Sequence, residues 1–231
     1  KLTDIEHVLL RPGMYVGSIK HRTDDISVYD GDKFKTESVT YNPAFLKIFD
    51  EIVSNSVDEH RRNPKKLNKL DVLVNPDKGA ILVKDNGGIV GDKHPEHDEW
   101  IPELIFSNLK AGSNFDDSEE RLVAGTNGVG STLTNIFSKV FRVRTSDGKQ
   151  QFSQKFVNNM TDREEAEVSK AKSRRGYTEI AFMPDFERFE MTTVDEDHMM
   201  MLQKRVIDLA ACNPKLKVTF NKQDHTFKSF E

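Results

Sequence analysis

Apolar positions along the chain fall into two kinds of run. Over residues 44–60, Phe45, Ile48, Phe49, Ile52, Val53 and Val57 recur at three- and four-residue intervals, the period of one helical face. Pro43 just before the run suits a helix start, and Pro64 just after it a stop. Residues 71–75 and 80–84 are short β-type runs separated by Pro76-Asp77-Lys78-Gly79, a hairpin signal. Two more runs, 140–145 and 151–157, flank a Ser146-Asp147-Gly148 turn, and 178–183 and 217–220 predict further strands. Helical patterns cover 102–109, 131–138 and 195–211. Residues 12–43, rich in Gly, Asp, Ser and Thr, read as an irregular lead-in, and 85–128 reads as loop apart from its one short helix. No internal repeat is present. Helices interspersed with hairpin-linked strands predict an α+β domain, a two-layer α/β sandwich whose mixed, mostly antiparallel sheet carries helices on one face.

Composition narrows function more than fold. Of 231 residues, 36% are hydrophobic and 31% charged, and 15 are Phe, which argues against disorder. Mean hydropathy is −0.62, and no stretch approaches the ~18 uncharged apolar residues of a membrane span. The 34 Lys and Arg against 38 Asp and Glu leave a net charge of −4, so overall electrostatics do not advertise nucleic-acid binding. A local basic run, Arg61, Arg62, Lys65, Lys66 and Lys69, reads either as a solvated turn after a helix or as phosphate contact. The single cysteine, Cys212, excludes a disulfide framework and a Cys-based zinc site. The opening residues carry neither a signal-peptide pattern nor an initiator Met. We therefore expect a cytoplasmic protein, and a chain trimmed from a longer one.

Polar residues bordering the stripe at 44–60 offer the first chemistry. Glu51, Asn55, Asp58 and Glu59 are spaced i, i+4, i+7 and i+8 and so share one face. The bland reading is a solvated face. The sharper one is a metal–phosphate site, in which the Asn oxygen ligates Mg²⁺ and the Glu takes a proton from an attacking water. Two glycine loops follow. Asp85-Asn86-Gly87-Gly88-Ile89 leaves a strand directly, and Gly125-Thr126-Asn127-Gly128-Val129-Gly130-Ser131-Thr132 precedes a helix. Glycines let backbone N–H groups close on phosphate oxygens, and a helix N-terminus adds partial positive charge. The second loop nearly reads as a P-loop, but Ser131 stands where the lysine is required and no hydrophobic strand leads into Gly125. His94-Pro95-Glu96-His97-Asp98-Glu99 holds metal-donor atoms without a recognisable ligand spacing, and Met199, Met200 and Met201 read as packing residues.

In combination the motifs are more specific. Glu51-x-x-x-Asn55, Asp85-x-Gly87, Gly125-x-Asn127-Gly128-x-Gly130 and Gly176-Tyr177-Thr178 resemble, in order and spacing, the ATP-binding boxes of the GHKL superfamily: gyrase B-type subunits, Hsp90 chaperones, histidine kinases and MutL. Arg11-Pro12-Gly13-Met14-Tyr15-Val16-Gly17-Ser18 resembles the N-terminal signature of type IIA DNA topoisomerases, and Phe182-Met183-Pro184-Asp185-Phe186-Glu187-Arg188-Phe189 their strand exit. Ile101-Pro102-Glu103-Leu104-Ile105-Phe106, Gly112-Ser113-Asn114-Phe115-Asp116-Asp117 and Asn135-Ile136-Phe137-Ser138 are similar to the eukaryotic and T-even-phage branch, and the compact form suggests a phage-encoded large subunit.

The resemblance implies a Bergerat-type ATP-binding fold over residues 1–231 as a single domain, without the transducer and DNA-cleavage domains. It implies ATP and Mg²⁺ as cofactors. Glu51 would be the general base, Asn55 the Mg²⁺ ligand, and Glu59 a member of its water shell. Asp85 would accept from the adenine amino group, braced by Thr178, with Gly87 and Gly88 in the first glycine box. Ser113 and Asn114 would reach ribose or phosphates. The run Gly125, Thr126, Asn127, Gly128, Val129, Gly130, Ser131 and Thr132 would wrap the β- and γ-phosphates, and Tyr15 would pack near the pocket. The implied function is the ATP-binding and hydrolysing gate of a type II topoisomerase. Its partners would be a second copy, a DNA-cleaving subunit or domain, and duplex DNA, with no membrane. Alone, the chain is expected to be a weakly active monomer. The alternatives are an ATP-gated clamp of the MutL or Hsp90 kind and a non-hydrolysing nucleotide-binding module. Two departures stand out. Asp85-Asn86-Gly87-Gly88-Ile89-Val90 is one residue shorter than the family's box and lacks its basic residue and Pro, and Thr132 replaces a family lysine, its hydroxyl a partial substitute for that phosphate contact.

Overall fold

Helix α1 (Asp4–Leu10) opens on a capping box: Glu6 N donates to Thr3 Oγ1 at 3.2 Å, and Thr3 N to the Glu6 carboxylate at 2.7 Å. A 3₁₀ turn (Pro12–Met14) follows, then strands β1 (Arg22–Tyr29) and β2 (Phe34–Tyr41), which pair antiparallel as a separate two-stranded sheet. This corrects the expectation of an irregular lead-in over 12–43. The computed structural model describes residues 2–29, 33–96, 98–109 and 129–227.

Helix α2 (Pro43–Arg62) is the apolar stripe, extended at both ends. Its first turn is built by Asn42, whose Oδ1 accepts from Phe45 N at 3.0 Å. The same side chain donates to the carbonyls of Ile19 (2.6 Å) and Phe189 (2.9 Å), and its own N–H donates to His198 Nε2 at 2.9 Å. One fully buried amide thus ties the lead-in, α2 and the end of the sheet together. Asn42→Ala is expected to destabilise the chain by about 3 kcal/mol, the cap plus orphaned buried partners. Tm would fall by roughly 6–12 °C in a thermal melt. A change near zero would show that water replaces the amide.

The main sheet comprises β3 (Lys69–Asn75), β4 (Ala80–Asp85), β5 (Ser138–Ser146), β6 (Gln150–Val157), β7 (Asp162–Arg163), β8 (Glu167–Lys170), β9 (Tyr177–Pro184), β10 (Lys217–Phe220) and β11 (Gln223–Asp224). Its order is β11-β10-β3-β4-β9-β5-β6-β7, with β8 also on β6. Only β10 with β3 is parallel among the described pairs. Helices α3 (Ile101–Ser107), α4 (Val129–Ile136) and α5 (Glu196–Cys212) join α2 over one face. Alternate strand residues such as Val72, Ile81, Val83, Phe141, Ile180 and Phe182 meet Phe45, Phe49, Ile52 and Val53 of α2 in one buried cluster. The opposite face is polar, where Glu179 of β9 takes both Lys84 (3.2 Å) and Arg144 (3.4 Å). The α+β sandwich with a mixed, mostly antiparallel sheet is as predicted. Strands β7, β8 and β11, of two to four residues, were not foreseen.

Candidate functional site

Between α2 and the ends of β4 and β9 lies a cavity of about 290 Å³. Helix α2 supplies Ile52, Asn55, Ser56 and Glu59, the strands supply Val83, Asp85, Thr178 and Ile180, and α3 closes one side with Ile105 and Phe106. Asp85 is the last residue of β4 and stands opposite Thr178 of β9. It is buried, its Oδ2 accepting from Ser56 Oγ at 2.7 Å and its Oδ1 from Gly87 N at 2.9 Å. Burial pushes its carboxyl above the usual carboxylate range; Ser56, Gly87 and the Thr178 backbone pull the other way, and nearby Glu59 adds a smaller upward push.

The chain leaves β4 through glycines because nothing larger fits. Gly88 has φ +87°, and a Cβ there would overlap the Ser146 carbonyl. A Cβ on Gly176 would lie 2.6 Å from the Gly87 carbonyl. The loop thus runs against the ends of β5 and β9, where Ile89 N donates to Thr145 Oγ1 at 2.8 Å and Thr145 Oγ1 lies 3.2 Å from Thr178 Oγ1. The shortened box still places Gly87, Gly88, Ile89 and Val90 along the cavity.

Glu51, Asn55 and Glu59 form a stripe along α2, but only Asn55 and Glu59 line the cavity. Glu59 is flanked by Arg62 (3.7 Å) and Lys66 (3.5 Å), which also line it. Glu51 lies farther along, ion-paired with Lys47 one turn earlier and pressed against Gly130 in the first turn of α4, where a Cβ would strike its Oε2. Asp58 is exposed and outside the lining. Ser131 and Thr132 are buried, with hydroxyls directed at α3: Ser131 Oγ lies 3.3 Å from the Ile105 carbonyl, and Thr132 Oγ1 3.4 Å from the carbonyls of Ile105 and Asn108. Tyr15 packs against α1, its OH 2.8 Å from His7 Nδ1, and is not among the cavity's lining residues.

Ser113, Asn114, Gly125, Thr126, Asn127 and Gly128 lie outside the described residues. Sequence reasoning missed Ser56 and Thr145. The signal for Ser56 was a hydroxyl interrupting the buried stripe of α2; Thr145 offered none beyond its place at a strand end. Among the described residues no group of three or more His, Cys, Asp or Glu could hold a metal by itself, and no helix is long and apolar enough to cross a membrane.

The chain is 40% identical over 234 residues to a DNA topoisomerase 2 of Pisum sativum, with all of this chain and 16% of that protein covered. It is 37% identical to a DNA topoisomerase 2 of Acanthamoeba polyphaga mimivirus, over 98% of this chain and 18% of the relative. Among solved structures, the ATPase region of Saccharomyces cerevisiae topoisomerase II superposes with a TM-score of 0.92 at 34% identity, covering 100% of this chain and 62% of that one. No family model matches the chain. It spans about one sixth of the length of the curated relatives it matches. Similar to them in sequence along nearly all of its own length, and to the yeast ATPase region in fold, the chain belongs to the type II DNA topoisomerases, within their GHKL-type ATPase region.

Proposed function

We propose that residues 1–231 form a single ATP-binding and hydrolysing domain that gates ATP-dependent DNA strand passage in a larger enzyme. The observation that supports this most is the buried Asp85 carboxylate at the base of a cavity walled by α2 and rimmed by glycines. A carboxylate there accepts hydrogen bonds only, which suits the exocyclic amine of adenine. From that end the polar stripe runs through Glu59 and Asn55 to Glu51 beside α4. A triphosphate laid along it would carry its terminal phosphate toward Glu51 and the amides of Val129 and Gly130 at the α4 N-terminus. Ser113, Asn114 and the run from Gly125 to Gly128 are assigned to ribose and phosphates by the family resemblance.

The residues present fit Mg²⁺: the exposed Asn55 amide oxygen would ligate it, and the Glu59 carboxylate one turn on would join its water shell, both hard oxygen donors on one face of the cavity. The ion would neutralise charge on the β- and γ-phosphates. Glu51 takes the proton of the attacking water, and Lys47 holds its carboxylate near the face of α4. Nucleotide binding would close two copies into a gate, with duplex DNA and a DNA-cleaving subunit or domain as the further partners. The relatives being DNA topoisomerases, neither the MutL/Hsp90 clamp nor the non-hydrolysing module is favoured. Calorimetric titration with a non-hydrolysable ATP analogue should show saturable binding that strengthens with Mg²⁺. Absence of binding at millimolar analogue would overturn the reading.

A further inference from the structure

Ser56 is the one polar residue inside the buried stripe formed by Ile52, Val53, Ser56 and Val57 on α2. It is 6% exposed and lines the cavity. A serine hydroxyl has one proton to give. Ser56 gives it to Asp85 Oδ2 at 2.7 Å, a short charge-assisted bond. What Oγ then offers the cavity is a lone pair. Asp85 Oδ1 is likewise taken on one side by Gly87 N at 2.9 Å. Of the carboxylate's roughly four acceptor sites, Ser56, Gly87 N and the Thr178 backbone engage three, which leaves one to offer, and neither residue keeps a proton to donate.

We infer that Ser56 is a positioning residue that sets base specificity: by donating to Asp85 it fixes the carboxylate and turns this wall into an acceptor-only surface that selects a purine with an exocyclic amine over one with a carbonyl. This rests on the nucleotide reading above and adds to it a residue and a mechanism. A protonated Asp85 would donate to Ser56 Oγ, and the serine proton would swing into the cavity. The wall would then present a donor and match a carbonyl.

The groups around Asp85 allow that reversal. Glu59 on α2 adds negative charge to the surroundings, while Arg62 and Lys66 are engaged with Glu59. On β9, Thr178 contributes backbone and a hydroxyl held by Thr145. Lys84 and Glu179 pair with each other on the far face of the sheet. Burial raises the Asp85 carboxyl, and the Ser56 bond opposes that rise.

The test is calorimetric titration of the chain with adenylyl imidodiphosphate and with its inosine counterpart, from mild acid to neutral pH, for the wild type, Ser56→Ala and Ser56→Thr. The ratio of the two affinities cancels everything the triphosphates share. The wild type should prefer the adenine analogue at neutral pH and lose that preference in acid. Ser56→Ala should weaken the adenine analogue about tenfold, flatten the ratio, and move its pH dependence toward neutrality. Ser56→Thr, which keeps the hydroxyl, should restore both. An unchanged ratio and pH profile in Ser56→Ala would overturn the inference while leaving the nucleotide reading intact. A wild-type ratio that ignores pH would do the same, and needs no variant to fold. A wild type that binds neither analogue removes the nucleotide reading itself.

Discussion

Glu51→Gln is expected to lower steady-state ATP turnover of the intact enzyme by about 10²–10⁴-fold, the usual worth of a positioned general base, while leaving affinity for a non-hydrolysable analogue unchanged. Glu51 presses against Gly130 at the start of α4, the one place on α2 where a carboxylate faces the helix end that would receive the γ-phosphate. Glutamine has the same shape and keeps that contact, but it cannot accept a proton from water. The substitution also breaks the ion pair with Lys47, which is half exposed and spaced i,i+4. Such a pair contributes only about 0.3–0.5 kcal/mol, so folding should be untouched. The signature is a fall in kcat with KM for ATP unchanged, since the interaction lost belongs to the transition state. Equal kcat in the two proteins would remove Glu51 from the chemistry and leave the stripe as a binding surface.

Much of this arrangement could be read before any coordinates, for reasons that differ by element. Helix α2 was legible because its apolar residues keep a strict helical period and Pro43 marks its first turn. The β3–β4 pair was legible because its turn carries Pro76 and Gly79. The β1–β2 pair was not, because its inward positions include Asp24 and Glu37, and only Val28, Val39 and Tyr41 are fully buried. Side chains and distant partners hold it instead: Thr23 meets Thr40 at 2.8 Å, Tyr41 donates to Asp24 at 2.7 Å, and Thr40 N donates to Asp197 of α5 at 2.8 Å. Such contacts leave no period in the sequence. At the site, Glu51, Asn55 and Glu59 follow from helical spacing, and Asp85 from its place at a strand end before two glycines. Ser56 does not follow as readily: a hydroxyl interrupting the apolar stripe marks the position, but its partner is set only by the register of α2 over β4, which places it beside a residue 29 positions on.

Asp85→Asn should give a protein that folds more stably at neutral pH and binds ATP about 100-fold or more weakly, as expected when a buried polar match is lost. Both halves come from the same burial. In the folded chain, burial raises the Asp85 carboxyl above its unfolded value, so the fold favours the protonated form. Its contribution to stability is therefore greatest in acid, below the unfolded pKa, and is lost as pH rises through the folded one. At neutral pH the ionised carboxylate is a cost that Ser56, Gly87 and the Thr178 backbone only partly offset. Asparagine fits without rearrangement: its oxygen keeps the Gly87 N–H, and its NH₂ replaces Oδ2, with Ser56 turning to accept. A thermal melt should thus show a higher Tm for the variant near neutrality, with the difference shrinking as pH is lowered. Binding moves the other way because asparagine, with its NH₂ on the Ser56 side, frees the serine proton to face the cavity, where the amine of adenine also donates. A lower Tm with unchanged affinity would show Asp85 to be a structural carboxylate. The opposite pair of results would show a charge kept in the interior against stability because the ligand requires it.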